Sequence, residues 1–234
     1  LVWRPTESEL VDCYVGQLPP RYAPLWCIPR NERFANMFAQ AIDFLVKLDK
    51  ELFLFLNLKL QNRFFDFLMP FITEFKNWRI LFFLIMLAML IFGRKKERMA
   101  AVLVLIVLGV ADSSVNLLLK SWIGRVRPCN VFSQVHLLAG CSHSGSFPSS
   151  HAANIFAAGT ILTFFYRRVW LIWLAIVVTV SFSRIYVGVH YPLDVVGGAF
   201  YGILLGTLVL IVSESIFRIQ SLSELKLRSG QDEV

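Results

Sequence analysis

The feature that most limits what this chain can become is a run from Met99 to Leu119 whose only charge is Asp112. A helix of that length rises roughly 30 Å, the thickness of a bilayer's hydrocarbon layer. Four more apolar stretches accompany it: Ile80 to Phe92, Ala152 to Tyr166, Val169 to Ser183 and Val195 to Ser213. The first is short, but Trp78 and Arg79 can lengthen it by snorkelling. With 56% hydrophobic and 17% charged residues among 234, the chain is too oily for a soluble domain of its size. The expected fold is all-α, a polytopic membrane helix bundle of five to six transmembrane helices with amphipathic interfacial helices at its N-terminal end.

Residues 38–60 place apolar side chains at helical spacing but carry Asp43, Lys47 and Lys50 on the other side. They predict a helix that lies in the interface or dips into the bilayer as a sixth crossing. Residues 64–77 read similarly, with Pro70 expected to break the helix and Asp66, Glu74 and Lys76 holding it near water. Residues 1–36 contain five prolines and no apolar run long enough to cross, and lack the basic-then-apolar layout of a signal peptide. They are taken as an N-terminal extension, whether native, a leader or an appended sequence, with no function assigned. The expected organisation is this extension, a membrane domain over 37–217 and a polar cytoplasmic tail over 218–234.

A net charge of +7 raises the question of nucleic acid, but the basic residues cluster between apolar runs and no basic patch interleaved with aromatics lies outside the spans. Nucleic acid is therefore not an expected partner; the bilayer is. Arg94, Lys95, Lys96 and Arg98 fill one connection, Arg167 and Arg168 another, and Arg218, Lys226 and Arg228 the tail. Alternating spans put all of these on one side, which the positive-inside rule makes the cytoplasm. The opposite side, the periplasm of a bacterial inner membrane, then receives residues 120–151 and 184–194. Cys129 and Cys141 share that outer loop, where they are either a disulfide or two thiols.

Three polar blocks end apolar runs at this outer boundary. Lys120 and Arg127 stand two helical turns apart and share a face if the helix continues to Pro128. Two cations on one face suit a phosphate; Lys120, Arg125 and Arg127 could equally be interfacial anchors. Pro148-Ser149-Ser150-His151 precedes an apolar helix, where free backbone N–H groups and the positive dipole end attract an anion. A serine there is also an ordinary N-cap. His190 and Asp194 lie at i and i+4, so the carboxylate can hold one ring nitrogen and leave the other as a nucleophile, with Arg184 as a third cation.

Taken together, Lys-x6-Arg-Pro, Pro-Ser-x-His and Ser-Arg-x5-His-x3-Asp resemble the type 2 phosphatidic acid phosphatase superfamily, over roughly residues 38–217. The resemblance implies a phosphatase that needs no metal or other cofactor. It assigns His190 as nucleophile, Asp194 as its partner, and His151 as acid and then base. It assigns phosphate binding to Lys120, Arg127, Ser149, Ser150 and Arg184. The family usually has glycine where this chain has Ser150. Phosphatidylglycerophosphate, undecaprenyl diphosphate and lipid A 1-phosphate are the substrate candidates, and nothing indicates an obligate protein partner. The alternatives are a phosphotransferase that uses a lipid or sugar acceptor, and a non-catalytic transporter or binding protein. Asp112, Ser113, Ser114 and Asn116 interrupt a span and are expected to pair structurally. His136 and His143 beside the two cysteines fit no common zinc spacing.

Overall fold

The computed structural model of the chain describes residues 32–229. The expected N-terminal extension therefore lies outside the described residues except for 32–36, which begin the first helix. Among the described residues every regular element is a helix and there is no strand. In order they form α1 (Glu32–Leu54), α2 (Arg63–Thr73), α3 (Phe75–Ile91), α4 (Lys95–Ser114), α5 (Lys120–Ile123), α6 (Pro128–Val131), α7 (Ser150–Phe165), α8 (Trp170–Tyr186) and α9 (Pro192–Ser229). Wider π-helical turns follow α1 (Phe55–Lys59) and α4 (Val115–Leu119). Among the described residues, three stretches are long and apolar enough to cross a membrane: Lys95–Val131, Arg167–Tyr186 and Pro192–Ile216.

The chain divides into two compact units, residues 1–48 and 49–234. In the first, Ile42, Phe44, Leu45 and Leu48 on α1 are exposed. The second holds the site. Its centre is α7, which packs against α4, α8 and α9. Ala153 and Ala157 on α7 are buried, and the glycine stripe of α9 lies against them. A Cβ added at Gly202 would stand 2.3 Å from the Ala153 carbonyl oxygen, and one at Gly198 2.5 Å from that of Ser149. Small residues on both helices allow this approach, which dispersion forces then hold together. Around it, Met86, Val104, Val107, Ile161 and Leu210 form a packed core. Phe83, Leu84, Val196, Phe200 and Leu204 point outward instead, as lipid-facing residues do.

Two local expectations are corrected. Pro70 does not break its helix: it sits inside α2, which ends at Glu74, a residue with extended backbone (φ −81, ψ 104). Proline removes one N–H, the partner of the Asp66 carbonyl, and the remaining ladder carries the helix onward for another turn. Nor do Lys120 and Arg127 share a helical face. The helix stops at Ile123, and Gly124 turns the chain at φ +63, a left-handed conformation open to glycine. Arg127 is reached through a loop. A third difference is one of length, since α9 continues past Ser213 to Ser229.

Candidate active site

Asp194 is fixed by the start of α9. With Pro192 at the first helical position, the Asp194 carboxylate reaches back so that Oδ2 accepts the Tyr191 N–H at 2.8 Å. Its Oδ1 accepts from Arg125 at 2.6 Å, and its backbone carbonyl accepts the Ser149 N–H at 2.9 Å, joining the third polar block to the second. His190 Nδ1 stands 3.5 Å from Asp194 Oδ2, long for a hydrogen bond, and has no other partner among the described residues.

The other face of the imidazole defines its tautomer. Arg127 NH1 lies 3.3 Å from His190 Nε2, and a guanidinium has only donors to offer. Nε2 must therefore present its lone pair, and the ring proton belongs on Nδ1, toward Asp194. His190 is almost fully buried, and that burial, reinforced by Arg184 and Arg127 and opposed by Asp194, pushes its pKa down to about 4. The ring is neutral at physiological pH.

Arg127 is one of three cations at this end of the bundle. Arg127 is held by the Ser144 carbonyl (Nε, 3.0 Å), the Ser144 hydroxyl (3.1 Å) and the Val189 carbonyl (3.3 Å). Arg184 donates to Thr73 Oγ1 at 2.6 Å, and its buried Nε has no partner among the described residues. Lys120 Nζ donates to Asn116 Oδ1 (2.8 Å) and Ser150 Oγ (2.6 Å). Ser150 in turn donates to Asn116 at 2.9 Å, so the hydroxyl that replaces the usual glycine becomes a bracket for the Lys120 ammonium. Ser149 is the N-cap of α7, its Oγ accepting from the Ala152 N–H. His151, one turn-position further along, faces the Thr73 backbone and lies within the electrostatic reach of Arg184, His190 and Lys120.

All eight candidate residues therefore converge on one end of the bundle, at the heads of α7 and α9. A neutral imidazole lone pair, three cations and a helix N-terminus suit a tetrahedral oxyanion. The polar residues within α4 pair as expected: Asp112 accepts from Asn116 (2.9 Å) and from Asn154 on α7 (3.3 Å), and Ser114 bonds Tyr201 at 2.6 Å. Cys129 and Cys141 are bonded to each other, with 6.2 Å between their α-carbons, and His136 is tied to Asp66 at 2.9 Å.

Several residues of the site escaped the sequence reading. Asn116 had a usable signal, lying one helical turn before Lys120. Thr73, Tyr191 and Asp49 had none. Arg125, read as an interfacial anchor, is instead clasped between Asp194 and buried Asp49, because both acids come from distant parts of the chain.

A membrane helix bundle with a histidine, aspartate and cation constellation at one end defines a class of integral membrane phosphatases, and the comparisons bear this out. Residues 98–218 match the model of the PAP2 superfamily, and the chain belongs to that family. It is 32% identical over 189 residues to a lipid A 4'-phosphatase of Bacteroides thetaiotaomicron, covering 77% of this chain and 84% of that one. It is 33% identical over 147 residues to an undecaprenyl-diphosphatase of Bacillus subtilis, covering 63% and 74%. Among solved structures, a transmembrane PAP2-type phosphatidylglycerolphosphate phosphatase of Bacillus subtilis superposes with a TM-score of 0.61 at 31% identity, over 78% of this chain and 94% of that one.

Proposed function

We propose that the protein is a metal-independent phosphatase that removes a terminal phosphate from a membrane lipid phosphate or diphosphate. The observation that carries this reading is the 3.3 Å contact of Arg127 NH1 with His190 Nε2: a guanidinium can only donate, so the ring turns a lone pair toward a cation. His190 Nε2 attacks phosphorus and the bond to the lipid oxygen breaks; His151, whose pKa burial and the neighbouring cations push down to about 3, takes up a proton as the negative phosphate enters beside it and gives that proton to the departing oxygen. The Nδ1 proton stays between His190 and Asp194, which stabilises the charged phosphohistidine. His151 then takes a proton from water as its oxygen attacks phosphorus, the N–P bond breaks, and inorganic phosphate leaves. Lys120, Arg127 and Arg184, with Ser149, Ser150 and the amides at the head of α7, bind the phosphoryl oxygens as charge builds on them.

The substrate classes are those of the relatives and of the family: lipid A phosphates, undecaprenyl diphosphate and phosphatidylglycerophosphate. The membrane domain spans 37–217 with five to six crossings, α1 and α2 lying at the interface, and the site opens to the periplasm of a bacterial inner membrane. The Cys129–Cys141 bond in the loop beside the site supports that side, because such bonds persist in oxidising compartments.

The test is phosphate release from a panel of these three lipids by purified protein. Wild type should turn over at least one lipid in the presence of chelator and be inhibited by vanadate, whose five-coordinate form resembles the transition state. His190→Ala should lose activity by at least about a thousandfold, comparable to the loss of other nucleophiles, while keeping its elution profile. Undiminished turnover in that variant removes His190 from the mechanism.

A further inference from the structure

Arg125 belongs to none of the roles above, yet it is in direct contact with Asp194. Its NH1 donates to Asp194 Oδ1 at 2.6 Å, while its NH2 donates to Asp49 Oδ2. Both carboxylates are essentially sealed from solvent, with side-chain exposures of 0% for Asp194 and 1% for Asp49. The guanidinium also lies over the Tyr191 ring, 4.2 Å from its centroid, and the Arg125 carbonyl accepts the Ser146 N–H at 2.7 Å. Asp49 has a second attachment, since its Oδ1 accepts the Leu193 N–H at 2.8 Å. Asp49, Arg125 and Asp194 thus form a clasp that fastens the end of α1 to the head of α9, immediately behind the candidate nucleophile.

Resting on the phosphohistidine reading, we propose that Arg125 is a positioning residue, held by Asp49, that occupies one oxygen of Asp194 and so limits that carboxylate to orienting the His190 ring. The groups that face His190 are Asp194 from α9, Arg184 from α8, Arg127 from the loop before α6, and His151 from the head of α7. Only Asp194 favours a protonated ring. A carboxylate with a single imidazole neighbour would direct its full charge at that ring and draw a proton onto Nε2. The single bond from Arg125 NH1 takes one oxygen of Asp194 out of that interaction, and the Tyr191 N–H occupies the other. What remains is the 3.5 Å contact to Nδ1, sufficient to orient the tautomer without raising its basicity. A guanidinium suits this task because it spans two carboxylates with one rigid group, which an ammonium does not.

The experiment is the pH dependence of kcat/KM for the panel lipid with the highest turnover, in wild type, Arg125→Gln, Arg125→Lys and the double variant Asp49→Asn/Arg125→Gln. The double variant matters because Arg125→Gln alone strands two buried acids and can fail to accumulate. The Asn and Gln amides keep the clasp hydrogen-bonded and leave only Asp194 uncompensated. Loss of Arg125 should move the acid limb upward by at least about one pH unit. Arg125→Lys should return the limb toward its wild-type position even where kcat is not restored. A limb that stays in place in the double variant, with activity merely lowered, makes Arg125 a structural brace and overturns the proposal. Rapid-quench trapping of a base-stable, acid-labile phosphoenzyme in the wild type separates this failure from that of the underlying mechanism. No phosphohistidine sinks the mechanism; phosphohistidine with an unmoved limb sinks only the role of Arg125.

Discussion

His190 shows how burial, reinforced by two neighbouring guanidinium groups, holds an imidazole neutral. An imidazole in water is half protonated near pH 6.5, whereas this one, shut away beside two guanidinium groups, is held down to about 4. The same displacement makes the ring a liability in acid. Between those two values the unfolded chain binds a proton that the folded chain refuses, so folding stability is complete above about pH 6.5 and falls as pH drops toward 4. The ring's share of that loss is about 3 kcal/mol. Thermal unfolding in detergent should therefore show a Tm that declines across this window, and His190→Asn, which cannot titrate, should flatten the decline; an unchanged slope in that variant would assign it to other groups. The candidate residues His190, His151, Lys120, Arg127 and Arg184 could be picked out in the sequence because each motif is local, spanning at most a dozen residues. Asp49 could not, since it sits among other charges on α1 and meets Arg125 only through the fold.

At the scale of the helix, the site is placed by backbone proximity. The head of α7 supplies Ser149, Ser150 and His151, the head of α9 supplies Asp194, and the glycine stripe sets the distance between the two helices. Its spacing at 198, 202 and 206 makes this contact legible in the sequence itself, as period and residue size together specify a close-packed face. The turn at Gly124 is not legible in the same way, because a helical pattern extends through Lys120 to Arg127 and only the left-handed φ shows where it stops. Adding a branched side chain at Gly202 should have a large effect, with Gly202→Val pushing α9 off the Ala153 carbonyl and destabilising the protein by roughly 3 kcal/mol or more, with loss of activity. Gly109, on α4, is the control: a Cβ there meets nothing within 4 Å. Gly109→Ala should fold normally and gain about 0.5–1 kcal/mol through helix propensity. Equal damage from both substitutions, measured by detergent-solubilised yield and Tm, would mean that the stripe does not set the helix spacing.

For the molecule as a whole, charge, redox chemistry and catalysis all bear on which end faces which compartment. The arginine and lysine clusters at 94–98 and 167–168 flank helices whose opposite ends carry the polar blocks. Lys120 and Arg127 are instead buried in hydrogen bonds at the far end, beside a bonded cysteine pair that a reducing compartment would not maintain. The proposed arrangement puts the 132–147 loop outside and residues 94–98 and 167–168 inside. His143 and Arg167 are both exposed and mark the two sides. In a background with Cys13 and Cys27 changed to serine, His143→Cys should react with a membrane-impermeant maleimide in cells with a permeabilised outer membrane, whereas Arg167→Cys should react only after lysis. The parent protein should take up no label until a reductant opens the Cys129–Cys141 bond. The reverse pattern would place the site in the cytoplasm, where the bond could not persist and the proposed substrates would have to be presented from the inner leaflet.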